Sequence, residues 1–323
     1  MIVSNQVLSR VGNTPVIRIE ACWNTNIHLF SKLEFYNPTG SVKDRAASYI
    51  INKLLKSGEI DKDTTMIEST SGNFGIALAA YCKKSGLRFI AVVDPHITPV
   101  NEMLIKSYGA EIIKVTEPDE NGGYLLSRIS KVKSLREEIE NSYWVNQYGN
   151  PYNAEAYYYS LGEELCRRFE RLDYLFMGVS SGGTITGVSR RVKEKFPDAR
   201  IIAVDIIGSV IFGNPPKKRF IPGIGSSLVP SILKSAKIDG VVMVDEVETI
   251  KMCHELLHKC FIFAGGSSGS VIAAVKKYFG EKKLKKSVDV VTVFPDRGER
   301  YTNTIYNKEW CEAFFRKQGA ASG

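Results

Sequence analysis

The run Arg88-Phe89-Ile90-Ala91-Val92-Val93 is apolar at five consecutive positions. A strand of that pattern has no face to offer water and belongs inside a sheet covered on both sides. Similar runs recur at Tyr174 to Val179, Arg200 to Ile206, Val241 to Val244 and Val288 to Phe294, with weaker ones at His28 to Leu33, Thr64 to Glu68 and Glu111 to Val115. Stretches with helical spacing alternate with them: Ile76 to Cys82, Asn101 to Tyr108, Tyr124 to Ile139, Thr184 to Phe196, Glu246 to His258 and Val271 to Tyr278. Strands alternating with helices imply βαβ units, so the chain reads as α/β with parallel sheets. Its 323 residues suffice for one large or two such units.

Several function classes are argued against at once. No apolar run is long enough to span a bilayer. Met1 to Gln6 lacks a basic stretch leading into an apolar one, so no secretory signal is read and a cytoplasmic protein is expected. The net charge is +8. Its short clusters, Lys217-Lys218-Arg219 and Lys282 to Lys286, carry no interleaved aromatics and read as solvated surface, so neither a nucleic acid nor a membrane is an expected partner. A positive field of this kind does suit small acidic substrates. The six cysteines read as small buried hydrophobes. His254-Glu255-Leu256-Leu257-His258 matches a zinc-protease pattern, even with Glu281 as an imagined third ligand. Met252, Leu256 and Leu257 make it an ordinary amphipathic helix, and no metal is expected. His28 and His96 read as structural. Gln318 to Gly323 reads as a disordered tail.

Chemistry concentrates in polar loops rich in small residues. In Asn37-Pro38-Thr39-Gly40-Ser41-Val42-Lys43-Asp44-Arg45, a loop turns into a helix at Lys43, whose apolar face is Ala46, Ile50, Ile51, Leu54 and Leu55. A lysine there is a solvated cation, a phosphate anchor or a desolvated amine able to form a Schiff base. Three further loops are expected where strands run into helices, the end of a doubly wound sheet at which ligands bind. Ser69-Thr70-Ser71-Gly72-Asn73 suits a small carboxylate or serves only as a helix cap. Ser180-Ser181-Gly182-Gly183-Thr184 suits a dianion at a helix N-terminus or is a tight turn; it is neither a P-loop nor a dinucleotide fingerprint. Ala264-Gly265-Gly266-Ser267-Ser268-Gly269-Ser270 could place one hydroxyl against a ring nitrogen.

Taken together and in order, these motifs, with Val11-Gly12-Asn13-Thr14-Pro15 and Asn146-Gln147-Tyr148, resemble the cysteine synthase family of fold-type II pyridoxal-phosphate enzymes, over about residues 5 to 305. The resemblance implies two open parallel-sheet α/β domains of the tryptophan synthase β-like architecture: residues 1–42 plus 149–317 as a large cofactor domain, and 43–148 as a smaller mobile substrate domain. It also implies a homodimer. Lys43 would hold pyridoxal 5'-phosphate covalently and then act as acid and base at Cα. Asn73 would bond the ring hydroxyl, Ser181, Gly182, Gly183 and Thr184 would cradle the phosphate, and Ser267 would face the ring nitrogen. Thr70, Ser71 and Gln147 would grip the substrate carboxylate. The chemistry implied is β-replacement through an aminoacrylate.

The chain departs from ordinary cysteine synthases at Ser180, where they have Gly, and at Tyr148, where they have Phe. Both add a hydroxyl on the expected Cβ side. Arg128 is a third anomaly, a cation on the apolar helix face Leu125, Ile129, Val132, Leu135, where it needs either a substrate anion or an internal partner. Pro222-Gly223-Ile224-Gly225-Ser226, Gly208 to Gly213 and Pro295 to Tyr301 carry a narrower resemblance to members that join an amino-acid amine to phosphoserine and make a diaminopropionate precursor for siderophores. Gly225 is counted with the substrate residues on that ground. Sulfide as nucleophile is the alternative within the family, and a catalytically silent binding protein the alternative outside it.

Overall fold

The computed structural model describes residues 6–20, 24–119, 122–280 and 282–320, with side chains through residue 318. In chain order its elements are β1 (Val16–Glu20), β2 (Ile27–Leu33), α1 (Lys43–Ser57), β3 (Thr65–Ser69), α2 (Asn73–Ser85), β4 (Arg88–Val93), α3 (Pro99–Ser107), β5 (Glu111–Lys114), α4 (Leu125–Glu138) and β6 (Ser142–Trp144). There follow α5 (Pro151–Tyr157), α6 (Glu163–Arg168), β7 (Tyr174–Gly178), α7 (Gly183–Lys195), β8 (Arg200–Ile206), β9 (Gly240–Val244), α8 (Glu246–Cys260), α9 (Gly266–Phe279), β10 (Val288–Phe294) and α10 (Lys308–Ala320).

Two sheets result. One has the order β1-β2-β10-β7-β8-β9 and the other β5-β4-β3-β6. All pairings are parallel except β1 with β2. The apolar β4 lies between β3 and β5, with Phe89 to Val93 buried. Val132 and Leu135 of α4 pack on Ile67, Ile90 and Val92 of the smaller sheet. Ile50 and Leu54 of α1 join Ile76 and Leu78 of α2 in the core shared with Leu175 and Met177 of the larger sheet. Among the described residues no helix is long and apolar enough to cross a membrane. Cys82, Cys166, Cys253 and Cys311 are buried and Cys260 is half-buried.

The structure corrects several local expectations. Helices α2 and α9 begin at Asn73 and Gly266, earlier than the apolar stretches from Ile76 and Val271. Apolar spacing cannot register a first turn made of glycine and serine. The third small-residue loop does not follow a strand: it links α8 to α9, and Ala264 makes a bridge to Arg297. Helices α5 and α6, joined by the π-helical turn Tyr158–Gly162, went unread. Their signal was Asn150, whose side chain accepts the Tyr152 N–H, followed by Pro151 in the first helical position. Helix α10 continues through Ala320, so Gln318 does not open a disordered tail. Cys311 and Phe314 anchor that helix on Ile250 and Ile305. Residues 321–323, the N-terminal stretch through Asn5, Cys22 and Glu281 lie outside the described residues.

A buried charge network holds the start of α1. The Arg45 guanidinium bonds Glu34 through Nε at 2.6 Å and Nη2 at 2.8 Å, and Glu164 through Nη1 at 2.6 Å and Nη2 at 2.9 Å. Lys32 reaches Glu164 at 2.6 Å. Thr14 donates its hydroxyl to Glu34, and Asn37 donates an amide to the same carboxylate. The motifs Val11 to Pro15 and Asn37 to Arg45 therefore meet at Glu34. Burial pushes Glu164 up, but hydrogen bonds and charge from Arg45, with help from Lys32, outweigh it and hold the carboxyl at about 2. Arg45→Ala leaves the buried Glu34 without its cation and Glu164 with Lys32 alone, and should cost about 3–5 kcal/mol in denaturant unfolding at neutral pH. Glu164 titrates at 4.5 when unperturbed. Its stabilisation is present above that value and fades as pH falls toward 2, so the deficit of the variant should shrink across that window. An unchanged unfolding midpoint at pH 7 would sink this account.

Candidate active site

Hydrogen bonds from Lys43 to Ser181 and from Asn73 to Asp296 bring together the segments that follow β2, β3, β7 and β10. Lys43 opens α1, and its Nζ donates to Ser181 Oγ at 3.2 Å. The same amine lies 5.9 Å from the ring centre of Phe74. Burial pulls Lys43 down from 10.5 to about 8, against the opposing charges of Asp296 and Glu68. Glu68 is itself pushed up from 4.5 to about 8 by burial, against hydrogen bonds from Gln147. At neutral pH it therefore carries a proton and lends Lys43 little charge. An amine held near 8 supplies far more of the nucleophilic neutral form than an ordinary lysine does.

Ser181 precedes Gly182, the cap of α7, at φ +85°. A Cβ on Gly183 would stand 2.4 Å from the Asn153 side chain. The turn is thus lined by backbone, and its N–H groups sit at the positive end of a 13-residue helix. The Thr184 hydroxyl meets that of Tyr157. Ser267 lies buried in the first turn of α9, close beside Gly178 at the end of β7.

The β3–α2 loop holds Thr70, buried, whose N–H donates to Val92 O at 3.0 Å. Ser71 Oγ donates to Asp94 at 3.1 Å and accepts from Arg128 Nη1 at 2.8 Å. Arg128 also pairs with Asp94 at 3.1 Å, so the cation on α4 has an internal partner and stands against the Ser71 loop as well. Asn73 donates its amide to Asp296 Oδ2 at 2.7 Å. Gln147 donates through its side chain to Ser69 O at 3.2 Å, and its backbone N–H points to Glu68 at 3.3 Å. Ser180 Oγ donates to the Gly225 carbonyl at 3.1 Å. Tyr148 is pushed above its ordinary range by burial, and the charges of Arg128, Glu68 and Arg219 all act on it.

Lys43, Thr70, Ser71, Asn73 and Ser180 to Thr184 lie just beyond these strands and Ser267 in the first turn of α9, whereas Arg128 sits within α4, Gln147 and Tyr148 follow β6, and Gly225 lies in the β8–β9 connection. Four groups were passed over. Asp94 and Glu68 had no motif of their own, Asp296 stood in the stretch Pro295 to Tyr301 without a role, and Arg219 was assigned to a solvated cluster. Lys217 and Lys218 are indeed exposed, but Arg219 turns inward and is half-buried. His254 of the zinc-like pattern spends Nε2 on the Ile305 carbonyl at 2.8 Å.

The family model for pyridoxal-phosphate dependent enzymes matches residues 7–296. The chain belongs to the pyridoxal-phosphate dependent enzymes. Solved structures agree with that assignment. An O-acetylserine dependent cystathionine β-synthase from Helicobacter pylori is 33% identical, with a TM-score of 0.87 over 94% of this chain and 99% of that one. O-ureido-L-serine synthase is 27% identical, with a TM-score of 0.86 over 95% and 96%. A hydrogen sulfide-producing enzyme from Fusobacterium nucleatum is 29% identical, with a TM-score of 0.84 over 93% and 100%. The two-sheet architecture is that of the fold-type II pyridoxal-phosphate enzymes.

The residues present fit the cofactor of that family. A lysine able to lose its proton near neutrality bonds the Ser181 hydroxyl at the glycine-containing N-terminus of α7, which suits an aldehyde and a phosphate on one small molecule. Asp296 Oδ1 and Ser268 Oγ are buried without a hydrogen-bond partner, so polar groups remain available on the β10 and α9 sides.

Glu68 gives this pyridoxal-phosphate enzyme a distinctive pH dependence of stability. Its folded value lies above its unfolded one, so the folded state holds the extra proton between 4.5 and about 8, and stability falls as pH rises through that window. Glu68→Gln should flatten the fall by a few kcal/mol, read as unfolding midpoints between pH 5 and 9. Parallel curves for the two proteins would refute it.

Proposed function

We propose that this enzyme catalyses β-replacement on O-phospho-L-serine with L-glutamate, giving N-(2-amino-2-carboxyethyl)-L-glutamate and phosphate. The Cβ–O bond breaks, with phosphate taking the electron pair, and Cα loses a proton. The glutamate amine then forms the Cβ–N bond and gives up a proton while Cα regains one. When bound, pyridoxal phosphate supplies the electron sink that makes both losses accessible.

The chain's own residues divide the remaining work. Lys43 holds the cofactor covalently, then takes and returns the Cα proton. Ser181 to Thr184 bind the cofactor phosphate, Asn73 bonds the ring hydroxyl, and Ser267 presents a neutral hydroxyl to the ring nitrogen. Thr70, Ser71 and Gln147 hold the substrate carboxylate, and that contact draws the segment 43–148 over the cleft and excludes water. The observation that carries the choice of substrate is the pair of hydroxyls at Ser180 and Tyr148. The Ser180 hydroxyl donates to the Gly225 carbonyl and would turn from it to serve an anionic leaving group, and Tyr148 lies under the charges of two arginines. Two of the structural neighbours are named for an O-substituted serine, which supports this substrate class. A diaminopropionate precursor of a siderophore is the product class the narrower resemblance favours. Use of sulfide is the second reading; one neighbour is named for producing hydrogen sulfide, which is sulfide leaving rather than attacking.

Holoenzyme given O-phospho-L-serine with glutamate and sulfide in competition should release phosphate and the glutamate adduct, identified by mass spectrometry. Cysteine as the sole product would overturn the amine reading. Lys43→Ala should lower turnover by at least about a thousandfold. It should also fail to retain cofactor through denaturing gel filtration after borohydride treatment, whereas the parent enzyme retains it.

A further inference from the structure

Two arginines act on Tyr148, and they differ in how they are paired. Arg128 has Asp94 at 3.1 Å. Arg219 makes no ion pair among the described residues; its Nη2 donates to the neutral Ser227 hydroxyl at 2.9 Å. The acidic groups it senses are Asp205 and Glu246. Glu246 Oε1 is taken by the N–H groups of Phe220 and Ile221 at 2.6 and 2.7 Å, and Asp205 Oδ1 by the N–H of Ile206 at 2.9 Å, while Asp205 Oδ2 is buried without a partner and does not reach Arg219. Burial pulls Arg219 below its ordinary value despite both. A half-buried guanidinium without a bonded carboxylate is costly for a fold to keep.

Its position suggests what it is kept for. A Cβ on Gly225 would stand 2.5 Å from Arg219 Nη1, so the guanidinium occupies the space that a side chain at residue 225 would fill. Gly225 has φ +75°, donates its N–H to Val179 at 2.7 Å and accepts from Ser180. Arg219 therefore lies over the strap through Gly225 that is bonded to Ser180, and its charge, like that of Arg128, acts on Tyr148.

We propose that Arg219 anchors a carboxylate of the incoming amine and makes the enzyme select a dicarboxylic amine over an uncharged nucleophile. This rests on the amine-addition reading above. A planar guanidinium gives a carboxylate two parallel hydrogen bonds, which fixes the amine end as well as attracting it. The residue acts on specificity: it binds the substrate end remote from the bond being formed.

The test uses holoenzyme with Arg219→Gln and Arg219→Lys. The second keeps the charge but loses the fork, and serves if the first does not fold. The ratio of kcat/KM for glutamate to that for sulfide should fall about 10–100-fold in Arg219→Gln, carried by KM for glutamate, and by less in Arg219→Lys. KM for O-phospho-L-serine should move far less than KM for glutamate. If KM for phosphoserine moves and that for glutamate does not, the anion held is the leaving phosphate and the proposal is wrong. If neither moves, Arg219 is structural and the proposal is equally wrong. Wild-type enzyme that consumes sulfide and no amine refutes the amine-addition reading before any variant is compared. Wild-type enzyme that uses glutamate, beside an unchanged Arg219→Gln, refutes only the role of Arg219.

Discussion

One guanidinium decides where Lys43 stands. Arg45 lies two positions along α1 from it, almost wholly removed from water, and holds Glu34 and Glu164 at once. A buried charge is tolerable only when every hydrogen-bonding direction is satisfied together. Glu34 comes from the turn after β2 and Glu164 from α6, so the first turn of α1 is tied to the larger sheet from two directions. The backbone on the other side is tied as well, because Val42 donates its N–H to Pro295 O at 2.8 Å and Ser41 bridges Asp296. The position of the lysine amine against Ser181 follows from those restraints.

The low dielectric that makes the network necessary also sets the chemistry of the cleft. It draws the Lys43 amine down to about 8 and the Glu68 carboxyl up to about 8, so near physiological pH Glu68 is mostly neutral and Lys43, still largely charged, gives up its proton far more readily than an ordinary lysine. The positive part of the field comes from the start of α7 and from Arg219, with Arg128 offset by Asp94. Such a field favours acidic substrates without placing a fixed charge next to the reacting carbon. The overall charge of +8 acts in the same direction at longer range.

Much of this was legible in advance because it is local. An apolar run such as Phe89 to Val93 can only be an interior strand. Small polar residues between a strand and a helix, as at Ser69 to Asn73 and Ser180 to Thr184, mark turns whose backbone geometry suits an anion. Illegible features were those whose meaning depends on a distant partner. Arg128 could have been a substrate contact or an internal ion pair until Asp94, 34 positions earlier, was found beside it. Glu68 looked like one polar position in a short strand, and its burial beneath Gln147 is what changes its protonation.

By itself the sequence determined the fold class, because that follows from periodicity, and it carried the family motifs, whose resemblance singled out Lys43 among readings that the residues alone left open. Tertiary structure alone decided which charges are buried and which are partnered. Arg219 shares a run with two exposed lysines, yet the strap through Gly225 folds it inward against Tyr148. Burial and ion pairing are set by what the rest of the chain brings alongside, and no local pattern encodes that.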